Sequence, residues 1–263
     1  MRLEYKFLVR NEFLGKLRRK ILPFVEMDQN VKEDVRNEYT VRSIYFDSSK
    51  FNFYHEKIDG IKIRKKLRIR GYDSKNDNNL VFLEIKNKYD NFIGKNRAPI
   101  QYHDLKNLLK TKSVETYSLT NNGYANSVKD GEKFFHHILR DDLKPTILIV
   151  YEREAFFSKF DKSLRITFDK NLRYYDKPKM KSLYKDDDLE IATPSHFVFE
   201  VKFDNGYPKW LQEIIQEFGL IRRSVSKYTI CIDSSNRIDP LRKNLNTSDN
   251  SFIFDSTVEE GIF

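Results

Sequence analysis

The feature that most constrains this chain is a strand in which basic and apolar side chains alternate. Successive side chains of a β-strand point to opposite faces of the sheet. One face of this strand is basic and carries Lys62, Arg64, Lys66, Arg68 and Arg70. Apart from Lys65, the other face is apolar, with Ile61, Ile63, Leu67 and Ile69. Because five cations on one face repel one another, the strand predicts either a solvated surface or a face that binds an anion.

The same division between an apolar and a charged face recurs in five further strands. Their charged faces carry Glu4 and Lys6, Glu84 with Lys86 and Lys88, Tyr151 and Arg153, Arg165 with Thr167 and Asp169, and Glu200 with Lys202 and Asp204. Amphipathic helices would cover the apolar faces, and the charged faces would then point into the middle of a barrel. The sequence therefore predicts an α+β fold, an antiparallel β-barrel with helices packed on the outside.

Periodicity and turn residues place the individual elements along the chain. Strands are predicted at residues 3–9, 40–46, 61–70, 80–88, 145–153, 163–169, 196–204 and 227–232. Helices are predicted at residues 11–25, 49–57, 103–110, 131–141 and 207–218, and residues 111–130 are expected to be an irregular surface segment. We divide the chain into one domain, residues 1–235, and a polar, flexible C-terminal tail, residues 236–263.

Charge and composition indicate an anionic partner. The 263 residues carry a formal net charge of +9, which suits a nucleic acid, a membrane surface or a phosphate compound. The single cysteine, Cys231, is expected to be a buried strand residue, and it fits a reducing cytosol. Since no apolar run approaches the roughly 18 residues that a membrane span needs, we expect a cytoplasmic protein. Any association with a membrane would then depend on a separate partner.

A barrel lumen lined by about ten lysines and arginines is not a stable core by itself, because unpaired buried charge is costly. It becomes reasonable if the lumen binds a polyanion and a divalent cation. Guanidinium groups bind phosphate oxygens in a bidentate manner, and Mg²⁺ or Mn²⁺ is held by carboxylates together with phosphate oxygens. The five histidines lie in predicted helices or at the edges of elements, so we expect none of them to be catalytic.

Nine short motifs, in order along residues 1–235, resemble one known family. They are Glu4-Tyr-Lys6-Phe-Leu-Val, Tyr45-Phe-Asp47, Leu67-Arg-Ile-Arg70-Gly-Tyr, Phe82-Leu-Glu-Ile-Lys86, Lys95-Asn-Arg97, Tyr151-Glu-Arg153-Glu-Ala, Leu164-Arg165-Ile-Thr-Phe-Asp169, Phe199-Glu200-Val-Lys202 and Ser226-Lys227-Tyr228. The chain resembles the polyphosphate polymerase domain of vacuolar transporter chaperone (VTC) complexes, within the CYTH-like superfamily of triphosphate tunnel metalloenzymes. The resemblance implies that the barrel is a triphosphate tunnel that binds ATP and polyphosphate.

The resemblance also implies a role for individual residues. The expected catalytic residues are Lys6, Arg68, Arg70, Lys86, Arg153, Arg165, Lys202 and Lys227. Substrate binding is expected of Lys95, Arg97 and Ser226, together with Arg64 from the basic strand face. Glu200 is expected to hold Mn²⁺ or Mg²⁺, and Glu4 and Glu84 match acidic positions that hydrolytic members of the superfamily use for metal.

Three other functions remain open from the sequence. Hydrolytic members of the superfamily begin with a Glu-x-Glu-x-Lys motif, whereas this chain has Arg2-Leu-Glu4-Tyr-Lys6. The missing carboxylate favours the polymerase over a triphosphatase that would use water on the same substrates. A non-catalytic module that binds polyphosphate is a further alternative. A nucleic-acid partner is disfavoured, because the cations share strand faces with carboxylates and no aromatic stacking motif accompanies them. A separate membrane protein remains an expected partner.

Overall fold

A computed structural model describes residues 3–28, 37–89, 92–120, 123–204 and 206–238. The strands are β1 Leu3–Arg10, β2 Val25–Met27, β3 Tyr39–Asp47, β4 Ile63–Tyr72, β5 Leu80–Tyr89, β6 Phe92–Gln101, β7 Lys144–Ser158, β8 Arg165–Asp176, β9 Glu190–Ile191 and β10 His196–Phe203. The helices are α1 Leu14–Ile21, α2 Asn52–Ile58, α3 Leu105–Thr111, α4 Val114–Tyr117, α5 Ser127–Arg140, α6 Lys209–Glu217 and α7 Lys227–Ser234. Short 3₁₀ turns precede or follow several of them. The expected flexible tail lies outside the described residues from residue 239 onward, as does Arg2.

All ten strands belong to one antiparallel sheet. Its order is β1-β10-β8-β7-β3-β4-β5-β6, with β2 on β7 and β9 on β8. The sheet curls around a lumen. A contact across the lumen shows this curl, since the Lys86 side chain of β5 donates to the Glu4 carboxylate of β1 at 3.2 Å. The prediction of an α+β fold with an antiparallel barrel is thus confirmed in its main features, although β1 and β6 end the order and do not pair with each other.

The alternation of side chains decides which face of the sheet is covered. Three apolar clusters fill the space between the sheet and the helices, and two of them lie on the outer face. The first lies under α2, α3 and α5 and includes Leu67, Ile69 and Phe134. The second lies under α1 and α6. Burial of these outer faces leaves the charged faces to line the lumen, as predicted. The third cluster, which includes Tyr45 and Tyr151, lies on the inner face of the sheet and is covered by α2 and α7. Among the described helices, none is both long and apolar enough to cross a membrane.

Several predicted elements need correction. Residues 227–232, predicted to be a strand, form most of helix α7. The helix predicted at residues 11–25 is shorter, because α1 ends at Ile21 and β2 begins at Val25. Strand β6 was absent from the prediction, and β7 and β8 run well beyond residues 153 and 169. The segment 111–130, expected to be irregular, contains α4 and the first residues of α5.

Local packing explains why residues 227–234 are helical in spite of their β-branched and aromatic side chains. The Ser226 hydroxyl accepts from the Thr229 backbone N–H, which satisfies one free donor of the first turn. Cys231 and Ile232 bury completely in the third apolar cluster. Tertiary burial therefore outweighs the intrinsic preference of the segment for extended structure. Cys231 is buried as predicted, but in a helix.

Candidate active site

Two cavities occupy the lumen. The larger, of about 850 Å³, is lined by residues such as Tyr39, Tyr72 and Leu80. The smaller, of about 390 Å³, is lined by residues such as Tyr45, Arg64 and Lys88. These two sets lie at opposite ends of the same antiparallel strands, since Arg64 pairs with Lys88 at one end of β4 and β5. The cavities share lining residues Leu3, Glu4, Arg68, Arg70, Lys86, Arg153 and Lys202. They therefore meet inside the sheet.

Glu4 and Glu200 form the first charged group at this junction. The Lys6 ammonium lies 2.6 Å from Glu4 and 3.7 Å from Glu200, and Lys202 lies 2.7 Å from Glu200. Burial and the neighbouring Glu200 act to raise the pKa of Glu4, but Lys6, Lys86 and Lys202 outweigh them and lower that pKa to about 2. Burial likewise opposes ionisation of Glu200, and the lysines, led by Lys202, hold its pKa well below the usual range. Both groups are therefore carboxylates at neutral pH.

Glu84 organises the second charged group. Four cations from two strands, β4 and β6, surround this fully buried carboxylate, at 2.7 Å for Arg68, 3.9 Å for Arg70, 2.6 Å for Lys95 and 3.0 Å for Arg97. Burial raises its pKa, but the two arginines of β4 and then the other two cations lower it well below the usual range. Glu84 shares no cation with Glu4 or Glu200 among the described ion pairs. Glu84 therefore holds together four cations that the sequence analysis expects to act in catalysis or substrate binding.

Asp169 organises the third charged group. Its two oxygens accept from Arg153 at 2.5 and 2.7 Å, and the Lys227 ammonium lies 2.5 Å away. Burial raises the pKa of Asp169, and Arg153 followed by Lys227 reverses that effect and lowers it. The sequence pattern placed Asp169 on the charged face but assigned it no role. Its role as the shared partner of two expected catalytic cations depends on contacts between three separate elements.

Arg165 and Arg64 lie at the two ends of the lumen. The Arg165 guanidinium donates to Asp28 at 2.7 Å and faces the larger cavity. Arg64 lines the smaller cavity and donates to the Ile61 carbonyl at 2.6 Å. Asp28 is 3% exposed and carries no signal in the sequence that points to the lumen.

The first turn of α7 brings Ser226 and Lys227 into the lumen. The Tyr228 hydroxyl donates to Asp47 at 2.5 Å, and Asp47 also accepts from the backbone N–H groups of Phe53 and Tyr54 at the start of α2. The Tyr228 ring stacks on Tyr45 with centroids 5.3 Å apart. The Tyr45 hydroxyl in turn accepts from Arg68 at 2.8 Å. A largely buried network at the wall of the smaller cavity thus fixes the position of two expected phosphate-binding residues.

The structure brings all fifteen predicted site residues to the walls of the lumen or its immediate edge. Three contributors were missed by the sequence reasoning as site residues: Asp169, Asp28 and Lys66. Lys66 was recognised as part of the basic face, and its ammonium donates to the Ser226 hydroxyl at 2.6 Å. Alternation along the strand signals that Lys66 faces the lumen. The two carboxylates could not be assigned, because their partners come from distant parts of the chain.

A divalent cation fits the Glu4 and Glu200 pair better than it fits Glu84. Mg²⁺ and Mn²⁺ usually take one or two protein carboxylates and complete their coordination with phosphate oxygens and water. Glu4 and Glu200 are both ionised and share Lys6. Among the described residues, no cluster of three or more His, Cys, Asp or Glu side chains is arranged to hold a metal. A metal at this pair would therefore need ligands from the substrate.

The fold and the site together define a domain in which a curled antiparallel sheet encloses a strongly basic lumen. The profile of the VTC domain matches residues 1–236. The chain belongs to the VTC domain family.

Three individual proteins that the chain resembles share 28% sequence identity or less with it. The chain is 28% identical over 171 residues to the vacuolar transporter chaperone complex subunit 4 of Schizosaccharomyces pombe, a match that covers 58% of this chain and 23% of that protein. It thus spans about a quarter of the length of this curated relative. Among solved structures, the PH1819 protein of Pyrococcus horikoshii OT3 is 14% identical with a TM-score of 0.47, covering 89% of this chain and 99% of that chain. HpAC1 from Hippeastrum, described as a putative adenylyl cyclase with a dominant triphosphatase activity, is 13% identical with a TM-score of 0.46, covering 92% and 99%.

Proposed function

We propose that this chain is a metal-dependent polyphosphate polymerase, which transfers the γ-phosphate of ATP onto a growing polyphosphate chain. The observation that carries the proposal is the meeting of two cavities, from opposite ends of the sheet, at one set of cations and carboxylates. A polymerase needs room on both sides of the reacting phosphate, for the nucleotide on one side and the acceptor chain on the other. Membership of the VTC domain family supports the same function.

The cations would divide the work of phosphoryl transfer. In the reaction, the bond between the γ-phosphorus and the oxygen bridging it to the β-phosphate breaks, and a bond to a terminal oxygen of the acceptor forms, with ADP as the leaving group. Arg68, Arg70, Arg153 and Lys202, where the two cavities meet, would hold the transferred phosphate, and Lys6, Lys86 and Lys227, which line the smaller cavity, would hold the acceptor chain. Lys95 and Arg165 line only the larger cavity and would contact phosphates of the nucleotide. Catalysis of this kind depends on positioning and neutralisation of charge.

A general base is not required for this reaction. The attacking oxygen of a polyphosphate chain is already anionic, unlike the water molecule in a hydrolase. Glu4 and Glu200 would hold Mn²⁺ or Mg²⁺, and the bound ion would neutralise phosphate oxygens beside the reacting group. Glu84, expected from the sequence to be a further metal ligand, would instead keep Arg68, Arg70, Lys95 and Arg97 in place.

The test of this function is the product made from γ-labelled ATP with Mn²⁺ or Mg²⁺, resolved on a gel. We expect a ladder of phosphate polymers from the wild-type protein and none from Glu200→Ala or Arg68→Ala. Lys62→Ala is a matched control, because Lys62 is exposed and lies outside both cavities, and it should leave the ladder intact. Free phosphate without a ladder would replace the polymerase with a triphosphatase. Binding of polyphosphate without turnover would leave a binding module.

A partner protein is also part of the proposal. The relative from Schizosaccharomyces pombe is named as a subunit of a complex. We propose that this chain acts at the cytoplasmic side of a membrane through a separate membrane protein. Co-purification of the tagged chain with an integral membrane protein would support this arrangement, and recovery of the chain alone from detergent extracts would count against it.

A further inference from the structure

Lys66 is a lumen cation that the proposed reaction does not use. Its side chain, on β4, lines the smaller cavity and lies between the strand and the first turn of α7. The ammonium donates to the Ser226 hydroxyl at 2.6 Å and lies 5.5 Å from the centre of the Tyr228 ring. Among the described residues, no carboxylate forms an ion pair with it.

The expected catalytic cations differ from Lys66 in this respect. Each of them is paired with at least one carboxylate: Lys6 with Glu4 and Glu200, Arg68 and Arg70 with Glu84, Lys86 with Glu4, Arg153 and Lys227 with Asp169, Arg165 with Asp28, and Lys202 with Glu200. Lys66 therefore has no carboxylate partner among the described residues that would stabilise its ammonium form.

The surroundings of Lys66 are also cationic. Burial lowers its pKa well below the usual value, and the charged groups facing it from neighbouring elements lower it further. These groups are Lys6 of β1, Lys57 of α2, Arg64 of β4 and Lys86 of β5, with the Tyr228 ring of α7 on the remaining side. An anion bound here would offset this repulsion and would favour the ammonium form of Lys66.

We infer that Lys66 and the Ser226 hydroxyl form a phosphate-binding subsite in the smaller cavity, which holds a phosphate group of the acceptor chain. This role for Lys66 rests on the proposed function, because it assumes that the lumen binds a phosphate chain. An ammonium and a hydroxyl 2.6 Å apart can donate to neighbouring oxygens of one phosphate group. Ser226 also caps α7, so the bound phosphate would lie at the start of that helix.

Inorganic tripolyphosphate is the probe for this subsite, and calorimetry gives its affinity. Lys66→Met, which keeps the length of the side chain, should weaken binding about tenfold or more. Lys66→Arg should retain the affinity, because the guanidinium keeps the charge and the donors. Lys62→Met, the same substitution at an exposed lysine of the preceding turn, should bind as the wild type does.

Stability provides a readout that separates a ligand-binding role from a structural one. Lys66→Met removes an unpaired cation from a cationic site, so without ligand its melting temperature should equal or exceed that of the wild type. The affinity of the wild type should fall with rising pH already below the usual pKa of a lysine, because burial and the neighbouring cations favour neutral Lys66, which binds an anion poorly. Lys66→Arg stays charged at these pH values and should show a smaller fall in affinity.

The outcomes separate this inference from the proposed function. Wild-type affinity in Lys66→Met would overturn the role of Lys66 and leave the polymerase proposal standing. A large loss of melting temperature in Lys66→Met, without rescue of binding by Lys66→Arg, would show that Lys66 is structural and would also overturn the inference. No binding of tripolyphosphate by the wild-type protein would overturn the proposed function itself.

Discussion

Glu4, Glu200, Glu84 and Asp169 each lie within 4 Å of at least two cations. Glu84 has four cations within 4 Å, and Asp169 has two. The carboxylates therefore hold the cations in position without neutralising them fully. This arrangement reduces the cost of burying many like charges, and it leaves positive charge available for phosphate oxygens.

The protonation of Lys95 should make the phosphate affinity of the lumen depend on pH. Burial lowers its pKa, and although Glu84 opposes that effect, Arg97 and Arg68 add to it, so that the pKa is about 8. Bound phosphate favours the ammonium form, so binding takes up a proton at and above pH 8. We expect the contribution of Lys95 to tripolyphosphate affinity to fall about tenfold between pH 7 and pH 9.

The control for Lys95 is Lys95→Arg, which stays charged over this range. The titration of the ligand and of the other lumen groups affects both proteins alike, so it cancels in the difference between their affinities. Calorimetry at pH 7, 8 and 9 measures both affinities, and parallel pH profiles for the two proteins would contradict the assignment to Lys95.

Asp169→Asn tests whether this carboxylate holds the side chains of Arg153 and Lys227 in place. The substitution leaves Arg153 buried beside Lys227 without their shared counterion, and we expect it to lower the free energy of unfolding by about 3–5 kcal/mol. Urea denaturation measures this change. Asp204→Asn, beyond the end of β10, should cost less than about 0.5 kcal/mol. A loss of stability of similar size in both variants would contradict the role of Asp169 as the shared counterion of Arg153 and Lys227.

At the scale of residues, the sequence predicted which face of the sheet a side chain points to, but not which residue it forms an ion pair with. Alternation along β4 and β5 was sufficient to predict that Arg68, Arg70 and Glu84 face the lumen, because that depends only on the two-residue period of a strand. The partner of Arg153 could not be predicted in the same way. It depends on the register between β7 and β8, which places Arg153 opposite Asp169.

At the scale of elements, α7 covers the inner face of the sheet beside the smaller cavity. Asp47 ties the first turn of α7 to the start of α2, and Tyr228 carries that contact towards Tyr45 and the lumen. Ser226 caps the same helix and Lys227 begins it, so their position along the lumen depends on this buried network. A helix of eight residues gains its stability here from such tertiary contacts.

Tyr228→Phe tests this connection. It removes a hydrogen bond of 2.5 Å to the buried Asp47 carboxylate, which should lower the free energy of unfolding by about 1.5–3 kcal/mol and also weaken tripolyphosphate binding. Tyr54→Phe is the matched control, because the Tyr54 hydroxyl donates to Asp233 at the far end of α7. It should lower stability while leaving the affinity nearly unchanged. Equal losses of affinity in both variants would contradict the positioning role of Asp47 and Tyr228.

The errors in predicting elements have physical causes. The sequence of residues 228–232, Tyr-Thr-Ile-Cys-Ile, has the composition of a strand, and only its contacts with the sheet and α2 make it helical. Strand β6 contains Gly94 and Pro99, which are typical of turns. It nevertheless forms a complete ladder with β5, from Phe92 opposite Tyr89 to Gln101 opposite Leu80. Pairing with a neighbour thus overrode local signals in both segments.

At the scale of the whole molecule, the sheet combines a continuous outer core with an open order of strands. Sequence patterns indicated that the charged faces point inward, but they did not reveal that β1 and β6 remain unpaired with each other. Closure depends on the curvature accumulated over eight strands, which no single segment specifies. Side chains such as Lys86 and Glu4 meet across the lumen instead.

The central claim is that one lumen holds a phosphate chain longer than the triphosphate of a nucleotide. Its most direct test compares the affinity of the wild-type protein for tripolyphosphate and for a long polyphosphate chain, at constant pH and ionic strength, with the affinity for the long chain divided by the number of equivalent positions at which it can bind. If a chain extends through both cavities, the longer ligand gains contacts in each and should bind at least about tenfold more tightly. Equal affinity for the two ligands would contradict a chain that occupies both cavities.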